Sequence, residues 1–330
     1  MTTNILELQS VSRSYPIRRG ILGRKSMVHA VDTVSLCLEE GHTLALVGES
    51  GSGKSTTGKM ALGLERPDQG EVLFRGVKLP APDTADWRRA RASMQMIYQD
   101  PVAALDRRLT IVEQVREPLD IHAIGLASER TQKTLTMLDA VGLNERLGAR
   151  YPHELSGGQR QRAVIARALV TQPALLVCDE PVSALDVSIQ AQVVNLLLEL
   201  QRDLGLSLLF ISHDLKVVRQ VSHQIAVMYL GRIVERGETI GVLSQPVHPY
   251  TRALVSAVPV AGGRSKPRII LSGEAPNPRA RPKGCAFHPR CPIVRRICSQ
   301  SSPVLSPTAS GRMVACHAAD EIALAYEVRC

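Results

Sequence analysis

Two segments near the start of the chain alternate apolar and polar residues. They span residues 4–11 and 28–38. An alternating pattern lets a strand turn one face to a core and the other to water. We therefore expect two half-buried strands of the antiparallel type.

Short, unbroken apolar runs follow at residues 44–47, 94–98, 175–178, 208–211 and 225–229. Runs of this kind are typical of a parallel sheet that is buried on both faces. Helical patterns separate them, at residues 54–64, 159–170 and 189–204. This alternation predicts right-handed βαβ units around a central sheet, and hence an α/β fold.

Two regions depart from that alternation. Residues 111–149 carry about three short helical patterns and no strand pattern, so we expect an inserted helical subdomain over about residues 100–155. After Gly237 the regular pattern decays and the chain becomes rich in proline. We expect a first domain over residues 1–262 and a small C-terminal extension over residues 263–330.

The composition refines this picture. Of the 330 residues, 44% are hydrophobic but only 3% are aromatic, so the cores must be aliphatic. The net charge is +9, and the residues from Thr251 onward hold twelve Lys and Arg against four Asp and Glu. A basic surface suits nucleic acid or anionic lipid. A solvated surface, or charge around a metal cluster, explains it equally well.

Cysteine usage and the first residues bear on the compartment. Seven cysteines is an odd number, and the start lacks a charged region followed by an apolar one. Both features argue against a secreted, disulfide-linked protein and for a reducing cytoplasm. No apolar run approaches eighteen residues, so the sequence predicts no membrane-spanning helix. We expect any role at a membrane to depend on a partner.

A glycine-rich segment lies between the first buried strand and the first predicted helix. Residues 48–55 read G-E-S-G-S-G-K-S and match the phosphate-loop pattern G-x-x-x-x-G-K-S/T. Glycines let consecutive backbone N–H groups converge on one anion at a helix N-terminus. In this pattern Lys54 supplies charge for the β- and γ-phosphates and Ser55 a hydroxyl for Mg²⁺. The expected nucleotide-binding residues are Gly48, Ser50, Gly51, Ser52, Gly53, Lys54, Ser55 and Thr56.

Polar residues follow three of the buried strands, at the carboxyl edge of the predicted sheet. Asp179 and Glu180 end one strand, which suits an Mg²⁺ contact for Asp179 and a general base for Glu180. Gln99 ends another, where its amide could complete the Mg²⁺ shell. His213 follows a third, where it could hold the γ-phosphate and the attacking water. Taken singly, each position is also an ordinary strand end.

A second glycine pair precedes a predicted helix. Ser156, Gly157, Gly158 and Gln159 offer a hydroxyl and exposed amides at a helix N-terminus, which form a second anion site. One nucleotide does not need two such devices from one chain. We therefore expect a head-to-tail dimer, with each nucleotide between the two loops of different subunits. The alternative is a plain N-cap with a flexible hinge.

These motifs, in this order, resemble those of the ATP-binding subunits of ABC transporters, over residues 4 to about 260. The resemblance makes Gln99 the Q-loop residue, 155–159 the signature, His213 the switch histidine and 183–186, with Asp186, the D-loop that bridges subunits. It also places Tyr15 where family members stack an aromatic ring on adenine. It implies the P-loop NTPase fold with an antiparallel β subdomain, and hydrolysis of ATP with Mg²⁺.

Other segments resemble the oligopeptide and dipeptide importer subfamily. They are the basic insertion 18–25, residues 151–154, residues 248–254 and the Cys-rich tail. The resemblance implies ATP-driven import of peptides, with this chain on the cytoplasmic face of the cell membrane. It implies a second ATPase subunit, paralogous in that subfamily, two permeases and an extracytoplasmic binding protein, and no nucleic acid. Nickel or another small solute is an alternative cargo, and a soluble ABC protein acting on nucleic acid is a rival of another class.

Four cysteines lie in the proline-rich tail: Cys285, Cys291, Cys298 and Cys316. A segment with few apolar residues gains stability from a cross-link. Their spacings lack the close C-x₂-C pairs usual for zinc, while a Cys-Pro step is familiar from iron–sulfur runs. The subfamily resemblance also favours a 4Fe–4S cluster. Unligated cysteines, and a zinc site completed by His288 or His317, are the alternatives.

Overall fold

The computed structural model describes residues 3–18, 25–183, 185–258, 268–271, 273, 277, 279–309 and 311–327. Its strands are β1 (Asn4–Arg18), β2 (Lys25–Glu39), β3 (Thr43–Val47), β4 (Gln69–Phe74), β5 (Val77–Lys78), β6 (Met94–Ile97), β7 (Leu175–Asp179), β8 (Ser207–Ser212), β9 (Gln224–Tyr229), β10 (Arg232–Glu238), β11 (Ser306–Pro307) and β12 (Met313–Val314). Its helices are α1 (Lys54–Ala61), α2 (Ala85–Ala92), α3 (Pro101–Ala104), α4 (Ile111–Ile121), α5 (Ala127–Ala140), α6 (Glu145–Gly148), α7 (Gly157–Leu169), α8 (Val187–Leu204), α9 (Leu215–Val221), α10 (Thr239–Ser244), α11 (Pro249–Ser256), α12 (Arg296–Gln300) and α13 (Ala319–Glu327). Short 3₁₀ turns lie at Pro152–Glu154 and His288–Arg290.

The strands form two sheets. One is a four-stranded antiparallel sheet with the order β2-β1-β4-β5, and the other has eight strands in the order β11-β12-β10-β9-β3-β8-β7-β6. Within the larger sheet β9, β3, β8, β7 and β6 run parallel, whereas β10 pairs antiparallel with β9. The α/β class, the antiparallel pair β1–β2 and the five parallel strands predicted from the sequence are therefore confirmed.

The parallel strands bring their carboxyl ends to one edge of the larger sheet. β3 lies at its centre, between β9 and β8, and β7 and β6 follow on one side. Because all five run in the same direction, the loops that leave β3, β6, β7 and β8 start at the same edge. The predicted phosphate-binding segment, Gln99, the acidic pair and His213 all lie at the ends of these strands or follow them.

Three helices without a strand occupy residues 111–149, as predicted. α4 starts with a capping box formed by Thr110 and Glu113. Its residues Ile111 and Val115 are fully buried and belong to the same core as Leu138 of α5. This helical region packs on α7. None of the helices in the described part of the chain is both long and apolar enough to span a membrane.

The chain after Gly237 keeps regular structure, although its sequence pattern decays there. β10 continues to Glu238, and α10 and α11 follow. Pro249 stands at the first position of α11, where the missing N–H of proline has no helical partner to lose. Further on, β12 pairs with β10. The proline-rich tail thus contributes strands to the main sheet.

Some predictions fall outside the described residues. Only the two ends of the basic insertion 18–25 are described, because residues 19–24 are not. The predicted domain boundary near Gly262 also lies in an undescribed stretch, and so does residue 184 of the segment 183–186. These predictions stay predictions.

Candidate functional site

The phosphate loop fits tightly between its neighbours. Gly53 forms the N-cap of α1 with φ 104°, and a Cβ there would lie 2.1 Å from the carbonyl oxygen of Ala30 in β2. A Cβ at Gly48 would lie 2.2 Å from the carbonyl oxygen of Met228 in β9. Only glycine fits at either position, because a side chain would collide with backbone atoms of two strands.

The other residues of the predicted cradle differ in exposure. Ser50, Gly51 and Ser55 are exposed, Thr56 is half-buried and Ser52 is buried. The Ser52 carbonyl accepts a hydrogen bond from the Gly231 N–H at 2.8 Å, so the turn after β9 supports the loop. Within the described residues, the Ser52 hydroxyl has no hydrogen-bond partner.

Lys54 folds back over the loop that precedes it. Lys54 is 5% exposed. Its Nζ donates hydrogen bonds to the carbonyl oxygens of Gly48 at 2.9 Å and Glu49 at 3.0 Å. Burial lowers the pKa of Lys54, while the carboxylates of Glu180 and Asp179 act in the opposite direction. The ammonium group is thus held at the mouth of the loop, where it can exchange carbonyl partners for phosphate oxygens.

Ser55 and Asp179 meet as the sequence predicted. The Ser55 hydroxyl donates to Asp179 Oδ1 at 3.0 Å. Burial raises the pKa of Asp179, and the hydrogen bond from Ser55 partly offsets this effect. A hydroxyl and a carboxylate oxygen are ligands that suit Mg²⁺. The two residues therefore fit the cation that accompanies a nucleoside triphosphate.

Glu180 is the point where three loops converge. Its backbone has φ 49°, in the left-handed region, and its N–H donates to the Ile211 carbonyl oxygen at 2.9 Å. Gln99 Nε2 donates to Glu180 Oε2 at 3.1 Å, and His213 Nδ1 lies 3.2 Å from the same oxygen. The Glu180 side chain is 16% exposed and that of His213 is 61% exposed. An uncommon backbone conformation at such a position is typical of functional sites.

Tyr15 is half-buried near the start of α1. Its hydroxyl donates to the Glu65 carboxylate, and the Arg13 guanidinium lies over its ring, 5.1 Å from the centroid. Burial and the contact with Glu65 raise the pKa of Tyr15. Because Arg13 covers one face, a stacked base must use the other.

The second glycine pair begins α7 as a capped helix. Gln159 N–H donates to Ser156 Oγ at 3.3 Å, and Ser156 N–H donates to Gln159 Oε1 at 3.0 Å. Ser156 and Gly157 are exposed. In the part of the chain that the structure describes, each of these two side chains bonds to the backbone N–H of the other residue and not to the phosphate loop. The N-cap is thus confirmed, and an added role in phosphate binding stays a prediction.

Leu185 and Ile189 lie beside this glycine pair. A Cβ at Gly157 would lie 3.7 Å from Leu185 Cδ2, and one at Gly158 would lie 2.8 Å from Ile189 Cγ2. Asp186 is exposed at the N-cap of α8, and its side chain forms no capping hydrogen bond. Its carboxylate is therefore not used by its own helix.

A cleft of about 720 Å³ separates the sheet edge from the helical region. Ser55, Gln99 and Asp179 line one side, and Ile121 and His122 at the end of α4 line the other. The cleft thus connects the residues that fit Mg²⁺ with the inserted helices.

The four tail cysteines line one small cavity of about 20 Å³. All four are free thiols, and burial raises the pKa of Cys285, of Cys291 and of Cys316, the last to about 11. Among the described residues, no group of three or more His, Cys, Asp or Glu is arranged to hold a single metal ion. This finding supports neither the predicted iron–sulfur cluster nor the zinc alternative.

The two histidines proposed for that zinc site make other contacts. His288 Nδ1 lies 2.9 Å from the Cys285 carbonyl oxygen, and His317 Nε2 lies 3.1 Å from the Ser301 carbonyl oxygen. Both rings line the same cavity as the cysteines. Each has a ring nitrogen in contact with a backbone carbonyl, so they serve the tail as hydrogen-bonding groups.

Sequence reasoning missed the surroundings of Glu49, the second residue of the phosphate loop. Its N–H donates to the Tyr250 hydroxyl at 2.8 Å, and its carboxylate accepts from Arg290. The phosphate-loop pattern leaves this position open, so the motif gave no signal. The one available signal was the negative charge of Glu49 in a loop that binds phosphate, which indicates that a cation such as Arg290 lies nearby.

Two family models match the chain. Residues 31–183 match the model described as ABC transporter, and residues 234–298 match that described as oligopeptide/dipeptide transporter, C-terminal region. The first match includes the phosphate loop and the acidic pair. The second includes Tyr250 and three of the four tail cysteines.

Curated relatives match over nearly the whole chain. The oligopeptide transport ATP-binding protein AppF of Bacillus subtilis is 48% identical over 318 residues, 95% of this chain and 97% of the relative. The dipeptide transport ATP-binding protein DppF of Haemophilus influenzae is 45% identical over 315 residues, 95% of this chain and 96% of the relative. The oligopeptide transport ATP-binding protein OppF of Salmonella typhimurium is 47% identical over 308 residues, 91% of this chain and 92% of the relative.

Solved structures share the fold. One is a dimeric ATP-binding cassette in a post-hydrolysis state with ADP and Pi, at 30% identity and TM-score 0.63, covering 71% of this chain and 98% of that one. Another is cbiO1 of Clostridium perfringens, part of the ABC transporter complex cbiONQ, at 26% identity and TM-score 0.63, covering 74% of this chain and 92% of that one.

Proposed function

The chain belongs to the ATP-binding proteins of oligopeptide and dipeptide ABC transporters, and on that premise we propose that its hydrolysis of ATP drives the import of peptides across a membrane. The observation that favours peptides as the transported substrate is the family match at residues 234–298. The match at residues 31–183 supports the ATPase but is common to ABC transporters in general.

The residues at the sheet edge have distinct roles in this proposal. Backbone N–H groups of the phosphate loop and Lys54 bind the phosphates, and Tyr15 stacks on adenine. Ser55, Asp179 and Gln99 hold Mg²⁺, which when bound neutralises charge on the β- and γ-phosphate oxygens.

Glu180 accepts a proton from the water that attacks the γ-phosphate. His213 orients that carboxylate and contacts the γ-phosphate. The contacts of Gln99 and His213 with the same Glu180 oxygen support this assignment. They also connect the proposed Mg²⁺ ligand Gln99 directly to the base.

The second half of the ATP site comes from another subunit in this proposal. Ser156, Gly157, Gly158 and Gln159 bind the γ-phosphate of the facing subunit's nucleotide, and Asp186 lies at the seam. Support comes from the exposure of Ser156, Gly157 and Asp186, and from the dimeric state of a similar solved cassette.

The partners follow from the proposed transport. They are a second ATPase subunit, two transmembrane permeases and an extracytoplasmic substrate-binding protein, with this chain on the cytoplasmic face of the cell membrane. The cleft between the sheet edge and α4 has room for a helical segment of a permease. It lies beside Gln99, so a permease there touches the ATP site directly.

Peptide uptake tests the proposed function. The assembled transporter in proteoliposomes should accumulate a labelled di- or tripeptide when ATP is on the side of this chain. The same vesicles with Glu180→Gln should not. Accumulation of Ni²⁺ without any peptide, or ATP hydrolysis that is stimulated by RNA and not by permeases, would contradict the proposal.

We also propose that Cys285, Cys291, Cys298 and Cys316 bind a 4Fe–4S cluster. The support for this choice is that four free thiols line one cavity. A cluster takes one thiolate on each iron, so its ligands stand farther apart than those of one ion. Binding requires loss of the thiol protons, which burial otherwise retains.

Metal analysis tests the cluster. Anaerobically purified protein should contain about four iron and four acid-labile sulfide per chain, and Cys298→Ser should lose most of both. Cys37→Ser is the matched control, since Cys37 lies in β2, away from the cavity. Iron-free wild-type protein with normal peptide transport would show that the proposal is wrong.

A further inference from the structure

Glu49 of the phosphate loop is held by three groups. The Tyr250 hydroxyl accepts a hydrogen bond from its N–H at 2.8 Å, and Lys54 Nζ donates to its carbonyl oxygen at 3.0 Å. Arg290 Nη1 donates to both carboxylate oxygens, at 3.2 Å and 3.0 Å. Tyr250 lies in α11, and Arg290 lies in the 3₁₀ turn directly before Cys291. Two of the three contacts thus come from the C-terminal part of the chain.

A buried aromatic cluster connects the cysteine cavity to this loop. The ring centroids of Tyr229, Tyr250 and Phe287 are separated by 4.6, 5.3 and 5.6 Å. Phe287 is 1% exposed, lines the cavity and follows Cys285 by two residues. Val47, the last residue of β3 before the phosphate loop, belongs to the same core. Close packing leaves little room for the cavity to change without moving its neighbours.

The Arg290–Glu49 ion pair is partly shielded from water. The Arg290 side chain is 12% exposed and that of Glu49 is 31% exposed. Charge–charge interactions are screened less at such a site than at an open surface. Without Arg290, the Glu49 carboxylate would repel a triphosphate bound to the same loop. Arg290 thus holds the Glu49 carboxylate and offsets its negative charge.

We propose that Arg290 is a positioning residue of the phosphate loop, through which the Cys-rich segment 285–316 sets the affinity for ATP. The inference rests on the proposed ATP site, but it does not depend on what the cysteines bind. The contact between Arg290 and Glu49 connects two parts of the sequence that lie 241 residues apart.

ATP affinity of the full chain provides the test. Arg290→Ala should weaken ATP binding and raise KM about fivefold to tenfold, with kcat little changed, and Arg290→Lys should recover most of the loss. Glu321→Gln is the matched control, because Glu321 pairs with Arg295 of the same segment but does not contact the phosphate loop. Equal ATP affinity of Arg290→Ala and wild type would overturn the inference.

A second substitution separates positioning from plain stability. If the unpaired Glu49 carboxylate weakens ATP binding, the double variant with Glu49→Gln and Arg290→Ala should bind ATP more tightly than Arg290→Ala alone. A role in folding alone predicts no such recovery. Thermal unfolding of each variant without nucleotide shows whether the folded state is retained.

A third comparison tests the role of the Cys-rich segment. Cys291→Ser should weaken ATP binding in the wild-type background and have little further effect when Arg290 is already alanine. Additive losses in ATP affinity would show that the segment does not act through Arg290. Wild-type protein that fails to bind ATP would instead refute the proposed function, so the two failures are distinguishable.

Discussion

Glu180→Gln is expected to lower the rate of ATP hydrolysis about 10²- to 10⁴-fold while ATP binding is retained. Glutamine keeps the shape of the side chain and can still accept a hydrogen bond from Gln99 or His213. It cannot take a proton from water at neutral pH. The turnover of MgATP by the assembled transporter, together with the equilibrium binding of ATP, measures both quantities.

Glu199→Gln provides the control for this prediction. Glu199 is an exposed residue of α8, so the same chemical change there should leave hydrolysis unaltered. If Glu180→Gln hydrolyses ATP at the wild-type rate, Glu180 is not the general base. If it loses ATP binding as well, the residue serves the structure of the loop instead.

Substitutions in the two glycine-rich loops are expected to have different effects. Lys54→Ala should weaken ATP binding by the isolated chain about tenfold to a hundredfold, since a charged hydrogen-bond donor is lost. Ser156→Asp should leave that binding unchanged but abolish hydrolysis in the assembled transporter. Aspartate caps a helix as well as serine does, yet its charge repels a γ-phosphate presented by another subunit.

Asn144→Asp is the matched control for Ser156→Asp. Asn144 caps α6 in the same manner, with its side chain accepting from the Leu147 N–H, but it lies in the helical region. The transporter with Asn144→Asp should hydrolyse ATP at the wild-type rate. Full hydrolysis by Ser156→Asp would contradict the role of the second glycine pair, and lost ATP binding by the isolated Ser156→Asp chain would place that pair in the same subunit's site.

Local patterns explain which parts of the fold the sequence predicts well. The phosphate loop is encoded by consecutive residues, and the parallel strands are apolar on both faces, so neither depends on distant contacts. β10 was not predicted, because its sequence R-I-V-E-R-G-E mixes charge with apolar residues. Its Glu235 is buried and accepts hydrogen bonds from the N–H groups of Val247 and His248, a stabilisation that no local pattern reveals.

The site shows the same division between local and distant information. The contact of Ser55 with Asp179 was expected, since Asp179 ends β7 and Ser55 follows the loop that leaves β3 at the same edge. The left-handed backbone of Glu180 was not expected, because no local pattern reveals it or the hydrogen bond from the Glu180 N–H to Ile211 in a neighbouring strand. The contact between Glu49 and Arg290 depends on how the tail folds back onto the sheet, and neither residue belongs to a motif that names the other.

Photo-cross-linking from position 156 tests the central claim, that ATP is bound between two subunits. With p-benzoylphenylalanine in place of Ser156 in the assembled transporter, irradiation should join this chain to the phosphate loop of the other ATPase subunit. The adduct should have the mass of two ATPase subunits and should form with ATP and not without nucleotide. An adduct confined to the same chain, or one between ATPase subunits that is indifferent to ATP, would contradict the account.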